Sequence, residues 1–520
     1  MLLAVRRGVT QCRSLAVLPL IAELLERLER NGVPYCHWKS STGLPLVLRG
    51  ETDLDLLVAQ DAARQFSAVV SELGFKRFES HPSRRFQGVE DWLGLDSSLP
   101  HLVHLHVYQR LILGEDFLKN HHLPVEDVLL RETERRNGIL VPRPEIELSI
   151  LAVRGLLKYR DGAYLRDALG LGRRGGLQPG IRAEVGDLLT RTTPSDVSDA
   201  LDRHLPMLPR SAILEFLETV RLAPRDAQTL LRLRRQLERS LRPYARHGFL
   251  RTSVHRSFAA LGRSRVVRLL DRLIARARGR PTGKRKTVAA GGRMIAVVGI
   301  DGSGKSTLVT ALVRLLSWRV NVASLYLGST RPGLISWVAQ MVARDSGRGQ
   351  RWLERRLGGT RGATRLARRL AVYSTGVAAV AEAADRKRRV LASRRLAGRG
   401  WIVVLDRYPL PHVVLPHRRM DAWRLRQPVA TDGWLMRRLA QRERALYRDI
   451  PWPDAVIVLD VDPAVARSRK PDVGVAVDAK AQALKQWIAT KPDGVVVVDA
   501  AAAPNVVEQV AAAALWKVLA

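Results

Sequence analysis

The residues best suited to chemistry are nine consecutive ones, Gly299-Ile-Asp-Gly-Ser-Gly-Lys-Ser-Thr307. They fit the pattern G-x-x-x-x-G-K-[ST], in which glycines let the backbone turn its N–H groups toward phosphate oxygens. Lys305 would place a positive charge on the outer phosphates of ATP, and the Ser306 hydroxyl can ligate Mg²⁺. The predicted nucleotide-binding residues are therefore Gly299, Asp301, Gly302, Ser303, Gly304, Lys305, Ser306 and Thr307.

The segments around this loop predict the elements that position it. Residues 294–299 are typical of a buried parallel strand and 307–316 of a helix, so the phosphates would lie at a helix N-terminus. Further short apolar runs are 322–328, 401–406, 455–460 and 495–499. Runs that are apolar on both faces indicate a parallel sheet covered by helices. We therefore predict an α/β P-loop domain with a parallel five-stranded sheet over residues 293–520.

An acid and an arginine come at the end of the apolar run 401–406 and directly after it. Asp406, at the end of a strand beside a phosphate loop, is well placed to hold Mg²⁺, and Arg407 can grip an acceptor phosphate with its guanidinium fork. Alone, the pair could equally be an ordinary turn at a strand end. Beside the phosphate loop, it favours phosphoryl transfer.

Four segments resemble the thymidylate kinase family in their order and spacing. They are 299–307, 384–386, 406–408 and 459–469. The resemblance covers under half of the chain. It implies transfer of the ATP γ-phosphoryl group to a phosphorylated small acceptor, such as a nucleoside monophosphate like dTMP, with ATP and Mg²⁺ as cofactors. It also implies a P-loop kinase fold, in a family that often forms homodimers.

The same resemblance assigns roles to individual residues. Lys305, Asp406, Arg407 and Arg469 would be catalytic, and Arg469 would belong to a basic lid over the donor. Residues predicted to bind the acceptor are Asp301, Glu382, Arg386 and Arg407. For Arg467, Arg469 and Lys470, a charged helix end is an equally good interpretation.

Two departures from that family concern the acceptor. Glu382 stands where the family usually stacks an aromatic residue on thymine, so it could instead hydrogen-bond an acceptor hydroxyl or amine, or simply face solvent. A long basic insert at 345–369 has no clear counterpart. Phosphoryl transfer is thus predicted more firmly than dTMP as its acceptor.

The N-terminal region has a second pair of carboxylates. Asp53 and Asp55 stand two apart in a strand-like run, so they share one face and could clamp a divalent metal. The region resembles the nucleotidyltransferase superfamily, but a third carboxylate on a later strand is not evident. His104 and His106 stand there instead, as metal ligands or as the polar outward face of a strand.

Composition and pattern suggest four segments and several partners. We predict a mixed α/β nucleotidyltransferase-like domain over 1–145, a helical region over 146–277, a basic linker over 278–292 and the kinase-like domain over 293–520. Within the first domain we predict a helix near 18–31 and strands at 46–49, 54–58 and 102–108. The net charge of +36 draws in polyanions. The alternative function is therefore an ATP-gated nucleic-acid-binding or regulatory protein. No apolar run reaches membrane-spanning length, and we expect a cytoplasmic protein.

Overall fold

A computed structural model shows two compact units, one made of Met1–Asp96 with His101–Thr282 and one of Ser97–Pro100 with Gly283–Ala520. The structure describes residues 17–114, 119–159, 177, 179–222, 226–248, 285–328, 333–357, 362–415, 419–425, 433–472 and 476–519. The boundary predicted between 277 and 278, and the start of the predicted linker, lie outside the described residues.

The first unit is built on a mixed sheet. Its strands are β1 (Tyr35–His37), β2 (Leu54–Val58), β3 (Lys76–Glu79), β4 (Val89–Asp96), β5 (His101–Tyr108), β6 (Leu111–Leu113), β7 (His121–Leu123), β8 (Thr133–Arg136) and β9 (Ile139–Pro142). Neighbours follow the order β1-β2-β5-β4-β3, with β2 and β5 parallel and the other neighbours antiparallel. The register sets Asp55 opposite His106, and His106 opposite Asp91. Alternate residues of three strands therefore meet on one face.

Helices cover this sheet and extend it. They are α1 (Pro19–Arg30), α2 (Leu44–Leu48), α3 (Ala63–Glu72), α4 (Glu126–Arg131), α5 (Pro144–Lys158), α6 (Pro179–Leu188), α7 (Pro194–His204), α8 (Arg210–Leu222) and α9 (Ala227–Ser240). Helix α5 is buried along almost its whole length. One hydrophobic core joins helices α5 to α9 to Trp38 and Tyr108, so the helical region packs as part of the first unit.

Two local predictions in this unit have opposite outcomes. The helix predicted near 18–31 is confirmed as α1, which buries an apolar stripe that includes Ile21 and Leu24. The strand predicted at 46–49 is wrong, because that run lies largely in α2. A proline in its first turn has its φ already set for a helix and lacks the N–H that a sheet would need, so the apolar run starts a helix.

The second unit contains the predicted parallel sheet. Its strands are β10 (Thr287–Val288), β11 (Met294–Gly299), β12 (Val322–Tyr326), β13 (Ile402–Asp406), β14 (Leu410–Val414), β15 (Arg419–Met420), β16 (Ala455–Asp460) and β17 (Val495–Asp499). The order β12-β13-β11-β16-β17 is parallel throughout. The prediction of a five-stranded parallel sheet is confirmed.

Helices surround that sheet, and β11 lies at its centre. They are α10 (Lys305–Ser317), α11 (Leu334–Leu357), α12 (Gly362–Ala397), α13 (Trp434–Arg448), α14 (Pro463–Arg469), α15 (Ala476–Ala489) and α16 (Pro504–Val518). Strands β12 and β13 lie on one side of β11, and β16 and β17 lie on the other. In such sheets ligands bind at the carboxyl ends of the strands, at the point where the strand order reverses. No helix in the described part of the chain combines the length and the apolar character needed to cross a bilayer.

Candidate functional site

The phosphate loop joins the end of β11 to the start of α10. Gly299, Gly302 and Gly304 all have positive φ, at 153°, 88° and 91°. Left-handed backbone of this kind costs a residue with a side chain more than it costs glycine. A Cβ on Gly302 would also collide with the carbonyl oxygen of Ala466 in α14. Glycine spacing therefore fixes both the turn of the loop and its contact with α14.

Lys305 lies folded back into its own loop. Its Nζ donates hydrogen bonds to the carbonyl oxygens of Gly299, at 3.0 Å, and Ile300, at 2.5 Å. Burial, and then the positive charge of Arg407, lower the pKa of Lys305 to about 8. Its direct partners are thus neutral oxygens, which an anionic phosphate could replace at a gain in electrostatic energy.

Ser306 and Asp406 come together across the sheet edge, as predicted for a magnesium site. The Ser306 hydroxyl donates to Asp406 Oδ2 at 2.9 Å. Asp406 Oδ1 is buried and has no hydrogen-bond partner among the described residues. A hydroxyl and a carboxylate with one uncommitted oxygen suit Mg²⁺, which takes few protein ligands and completes its shell with phosphates and water. The residues present therefore fit the predicted ion.

Asp301 is held between two cations. Lys480 Nζ lies 2.6 Å from one carboxylate oxygen and Arg407 Nη2 lies 2.9 Å from the other. Burial alone would raise the pKa of Asp301, but the hydrogen bond and charge of Lys480, with the charge of Arg407, lower it to about 2. Lys480 was not predicted, since a lysine inside a helical pattern carries no signal of its own.

Arg407 has an unusual backbone conformation. Its φ is 63°, which for a residue with a side chain costs on the order of 1–3 kcal/mol. Such strain is common where a side chain must be aimed at a ligand. Here it turns the guanidinium toward Asp301 and over the ring of Tyr326, at 5.8 Å from the ring centroid.

Arg386 and Glu382 form a buried network, in contrast to the solvent-facing role considered for Glu382. Arg386 Nη2 lies 2.7 Å from Glu382, and its Nη1 donates to the Asp421 carbonyl at 2.5 Å and the Tyr447 hydroxyl at 2.8 Å. Glu382 also pairs with Arg424, at 3.0 Å. Both side chains are thus committed to protein partners. The alternative that Glu382 faces solvent is wrong, because α12 packs against α13 and covers it.

Arg469 lies at the C-terminal end of α14. Its Nη1 donates to the carbonyl oxygen of Ala500 at 2.7 Å, and the neighbouring Arg467 pairs with Asp478. These contacts agree with the interpretation of the arginines as a charged helix end. Their side chains lie on the helix whose Ala466 touches the phosphate loop.

A second polar cluster lies in the first unit. His104 of β5 contacts Asp53 through Nδ1 at 2.8 Å and Asp91 of β4 through Nε2 at 3.0 Å. Ser80 donates to the other oxygen of Asp91 at 2.6 Å. Asp91 is the third carboxylate that sequence reasoning did not find. Its run, 89–96, shows no regular alternation, and the antiparallel pairing of β4 with β5 brings it into place.

The other half of this cluster centres on Asp55. Lys39 Nζ lies 2.8 Å from one carboxylate oxygen and His106 Nδ1 lies 3.1 Å from the other. Burial would raise the pKa of Asp55, but the charge of Lys39 and the hydrogen bond with His106 hold it well below its usual range. The Tyr108 hydroxyl also contacts His106 Nδ1, at 2.9 Å.

These contacts alter two predictions for the first unit. His104 is 2% exposed, so the interpretation as an outward polar face is wrong for His104, whereas 23% of the His106 side chain is exposed. For Asp53 and Asp55 as metal ligands, the fit is poor: in the described ranges no group of three or more His, Cys, Asp and Glu is arranged to hold a metal ion. Lys39 already forms an ion pair with Asp55, and the two imidazoles already lie within hydrogen-bonding distance of the carboxylates.

Comparison with known proteins gives the chain its relatives. No protein-family model matches it. A protein named "Uncharacterized ATP-binding protein YghS", from Escherichia coli strain K12, is 30% identical over 208 residues, which are 38% of this chain and 80% of that protein. The chain belongs to the YghS family. "Uncharacterized ATP-binding protein YghR" of the same strain is 34% identical over 188 residues, 34% of this chain and 69% of that protein.

A solved structure offers a weaker likeness to this member of the YghS family. It is a thymidylate kinase from Candida albicans, 19% identical, with a TM-score of 0.25 over 40% of this chain and 84% of that chain. At that TM-score the two backbones differ too much to support a conclusion about chemistry.

Proposed function

We propose that the second unit is an ATP-dependent phosphotransferase of the thymidylate kinase type. It would move the γ-phosphoryl group of ATP to a phosphorylated small acceptor, with a nucleoside monophosphate as the first candidate. The observation that carries the proposal is the phosphate loop with Lys305 resting on neutral carbonyls beside the Ser306–Asp406 pair. The printed names of the two Escherichia coli relatives support ATP as the nucleotide.

On the donor side, Lys305 would leave the two carbonyl oxygens and bind the outer phosphates of ATP. Loop N–H groups at the start of α10 would bind the remaining phosphate oxygens. Ser306 and Asp406 would hold Mg²⁺, which neutralises charge on the phosphates when bound. Most of the rate enhancement would then come from positioning and charge neutralisation.

On the acceptor side, Arg407 is the residue that we propose to bind the acceptor phosphate. Its guanidinium has one buried Nε without a hydrogen-bond partner among the described residues, and its present partner, Asp301, is also held by Lys480. Arg407 could therefore release Asp301 without leaving that carboxylate unpaired. An acceptor phosphate is anionic near neutral pH, so the transfer needs no general base.

Arg386 and Glu382 receive a different role in this proposal. Because their charged groups already contact each other, Asp421, Tyr447 and Arg424, they act as positioning residues. The Asp421 carboxylate contributes to the electrostatic environment of both Lys305 and Arg407. The buried pair would thus fix the segment that carries this negative charge.

The test is ADP production by the purified full chain with Mg-ATP across a panel of nucleoside monophosphates. We expect one of them to stimulate ADP release, and Lys305→Ala to abolish the stimulation. Arg407→Ala should raise the acceptor KM, whereas Arg399→Ala, at an exposed position after α12, should leave it unchanged. ATP binding without stimulation by any nucleoside monophosphate would overturn the nucleoside monophosphate kinase and favour a non-nucleotide acceptor or the ATP-gated, nucleic-acid-binding alternative.

We also propose that the kinase-like unit pairs with a second copy through α11 and α12. Large apolar side chains are exposed along both helices, among them Leu334 and Ile335, at 78% and 68%. A groove of about 530 Å³ lies between the helices. With 24 residues in α11, the two helices offer a face of roughly 700 Å², close to the ~800 Å² that each partner of a stable complex buries.

Size-exclusion chromatography with light scattering measures the mass of the protein in solution and so tests this pairing. The full chain should elute with twice its monomer mass, and Leu334→Asp with Ile335→Asp should give monomers. Val506→Asp, at an exposed position on α16, is the matched control and should leave the mass unchanged. A monomeric wild-type chain would exclude the pairing.

A further inference from the structure

A cavity of about 830 Å³ in the second unit has no place in the proposed transfer reaction. It lies between the segment that follows β13 and the C-terminal half of α13, and it is walled by Tyr408, Trp423, Tyr447 and Trp452. Its volume falls within the ~300–1,000 Å³ typical of small-molecule sites. Size and aromatic lining together mark it as a binding cavity.

The aromatic walls are held in place by their polar atoms and by one another. The Tyr408 hydroxyl donates to the carbonyl oxygen of Pro451 at 2.8 Å. The Trp452 ring lies edge-on to Tyr408 and to His412, with ring centroids 5.7 Å apart in both pairs. Walls that are already ordered lose little conformational freedom when a ligand binds. The cavity is therefore preorganised to bind a flat ring.

The charged side chains of the lining are basic. Arg444 and Arg448 stand four apart on α13 and face the same cavity. The described lining residues include no carboxylate. Arg448 is exposed at the rim and has a weak contact with Asp449, at 3.7 Å. The electrostatics of the cavity therefore favour an anion.

Arg444 is the residue that points most directly to a ligand. Its guanidinium lies over the Trp423 ring, 5.2 Å from the centroid. Its Nε is buried and has no hydrogen-bond partner among the described residues. An unsatisfied buried N–H is unfavourable, and on a guanidinium the strongest available partner is an anionic oxygen.

We propose that this cavity is a second ligand site, which binds a small molecule combining a flat aromatic ring with a carboxylate or phosphate group. The ring would lie among Tyr408, Trp423 and Trp452, and the anionic group would accept hydrogen bonds from Arg444. No residue of the phosphate loop, 299–307, belongs to the described lining of the cavity, so we expect the ligand to bind whether or not ATP is present.

Isothermal titration calorimetry of the full chain with 1-naphthyl phosphate tests the proposal. Two partial probes separate the contributions: 1-naphthol has the ring without the charge, and inorganic phosphate has the charge without the ring. We expect 1-naphthyl phosphate to bind at least about tenfold more tightly than either. Equal affinity of inorganic phosphate, or of 1-naphthol, would overturn the combined recognition.

Variants locate the binding. Arg444→Gln should weaken it by about tenfold or more, the size expected from losing a charge-assisted hydrogen bond. Arg442→Gln, exposed on the same helix and outside the lining, is the matched control and should have no effect. Lys305→Ala should also leave binding unchanged, whereas a loss in that variant would place the probe in the phosphate loop.

Hydrogen exchange on the unmodified chain shows where 1-naphthyl phosphate binds, even if Arg444→Gln fails to fold. With 1-naphthyl phosphate bound, exchange should slow at 408–412 and 441–452. Slowing at 299–307 alone would overturn the proposal.

Discussion

The phosphate loop and the acid–histidine cluster both place carboxylates beside cations, but they differ in how completely their polar atoms have partners within the protein. In the phosphate loop, Lys305 contacts two neutral carbonyls, and Asp406 keeps one buried oxygen without a hydrogen-bond partner among the described residues. In the cluster, the carboxylates of Asp53, Asp55 and Asp91 each have an imidazole within about 3 Å.

We infer from this difference that the phosphate loop receives a ligand, whereas the acid–histidine cluster stabilises its own fold. Unsatisfied buried groups are unfavourable, so a protein keeps them where a ligand will satisfy them. A network whose members are all paired gains stability and rigidity instead. Two aspartates in a metal-binding pattern are therefore weak support for a metal until their neighbours are known.

The largest contrast is expected from removing the central cation of the phosphate loop. Lys305→Ala should lower kcat for acceptor-dependent ADP release by about 100-fold or more, because one preorganised charge on the transferring group is lost. The melting temperature should hardly change, since within the described part of the chain Lys305 contacts backbone carbonyls and no carboxylate directly. Lys485→Ala, at an exposed position of α15, is the control. Full activity in Lys305→Ala would refute the assigned role.

Metal binding should divide the two sites in the same way. Asp406→Asn should weaken binding of Mn²⁺ in the presence of ATP by about tenfold or more, because a charged ligand becomes neutral. Asp55→Asn should not change it, since Lys39 and His106 already occupy that carboxylate. Electron paramagnetic resonance of free Mn²⁺ measures both. Loss of a bound ion in Asp55→Asn would restore the metal site predicted for the first unit.

Stability should respond in the opposite sense. His104→Ala leaves Asp53 and the buried Asp91 without their shared partner, which should cost about 1–3 kcal/mol of unfolding free energy in urea. ATP turnover by the second unit should stay unchanged. His101→Ala, in the same strand but bonded to the carbonyl of Gly50, tests whether any histidine loss has this effect. An unaltered urea midpoint for His104→Ala would show that the cluster contributes no stability.

The smallest expected effect is the uptake of a proton by Lys305 when ATP binds. The pKa of Lys305 is about 8 in the fold, below its value in an unfolded chain, so the folded state binds fewer protons between those two values and becomes more stable as pH rises through them. A bound phosphate favours the charged amine. ATP binding at pH 8.5 should therefore take up roughly three quarters of a proton.

Calorimetry in two buffers of different ionisation enthalpy measures this uptake. The Lys305→Met variant provides the control, since it has no amine to protonate, and it should take up none. Equal uptake in variant and wild type would assign the proton to another group.

Sequence reasoning predicted the second unit better than the first. The five strands of the parallel sheet, the helix after the loop and the meeting of Ser306 with Asp406 were all foreseen, because a glycine-rich loop between an apolar strand and a helix is a local signal. In the first unit Asp91 was missed and residues 46–49 were given the wrong element. Short strands with weak alternation leave the pairing to distant residues.

The sequence by itself determined where a phosphate could bind, because all the groups of the loop are consecutive and their geometry follows from glycine positions and the start of α10. Only the tertiary structure decided which charges are paired. Lys480 reaches Asp301 from 179 residues away, and His104 joins acids from two other strands. Such pairings depend on which strand edges and helix faces meet, and the strength of a charge in a protein depends on how far that meeting excludes water.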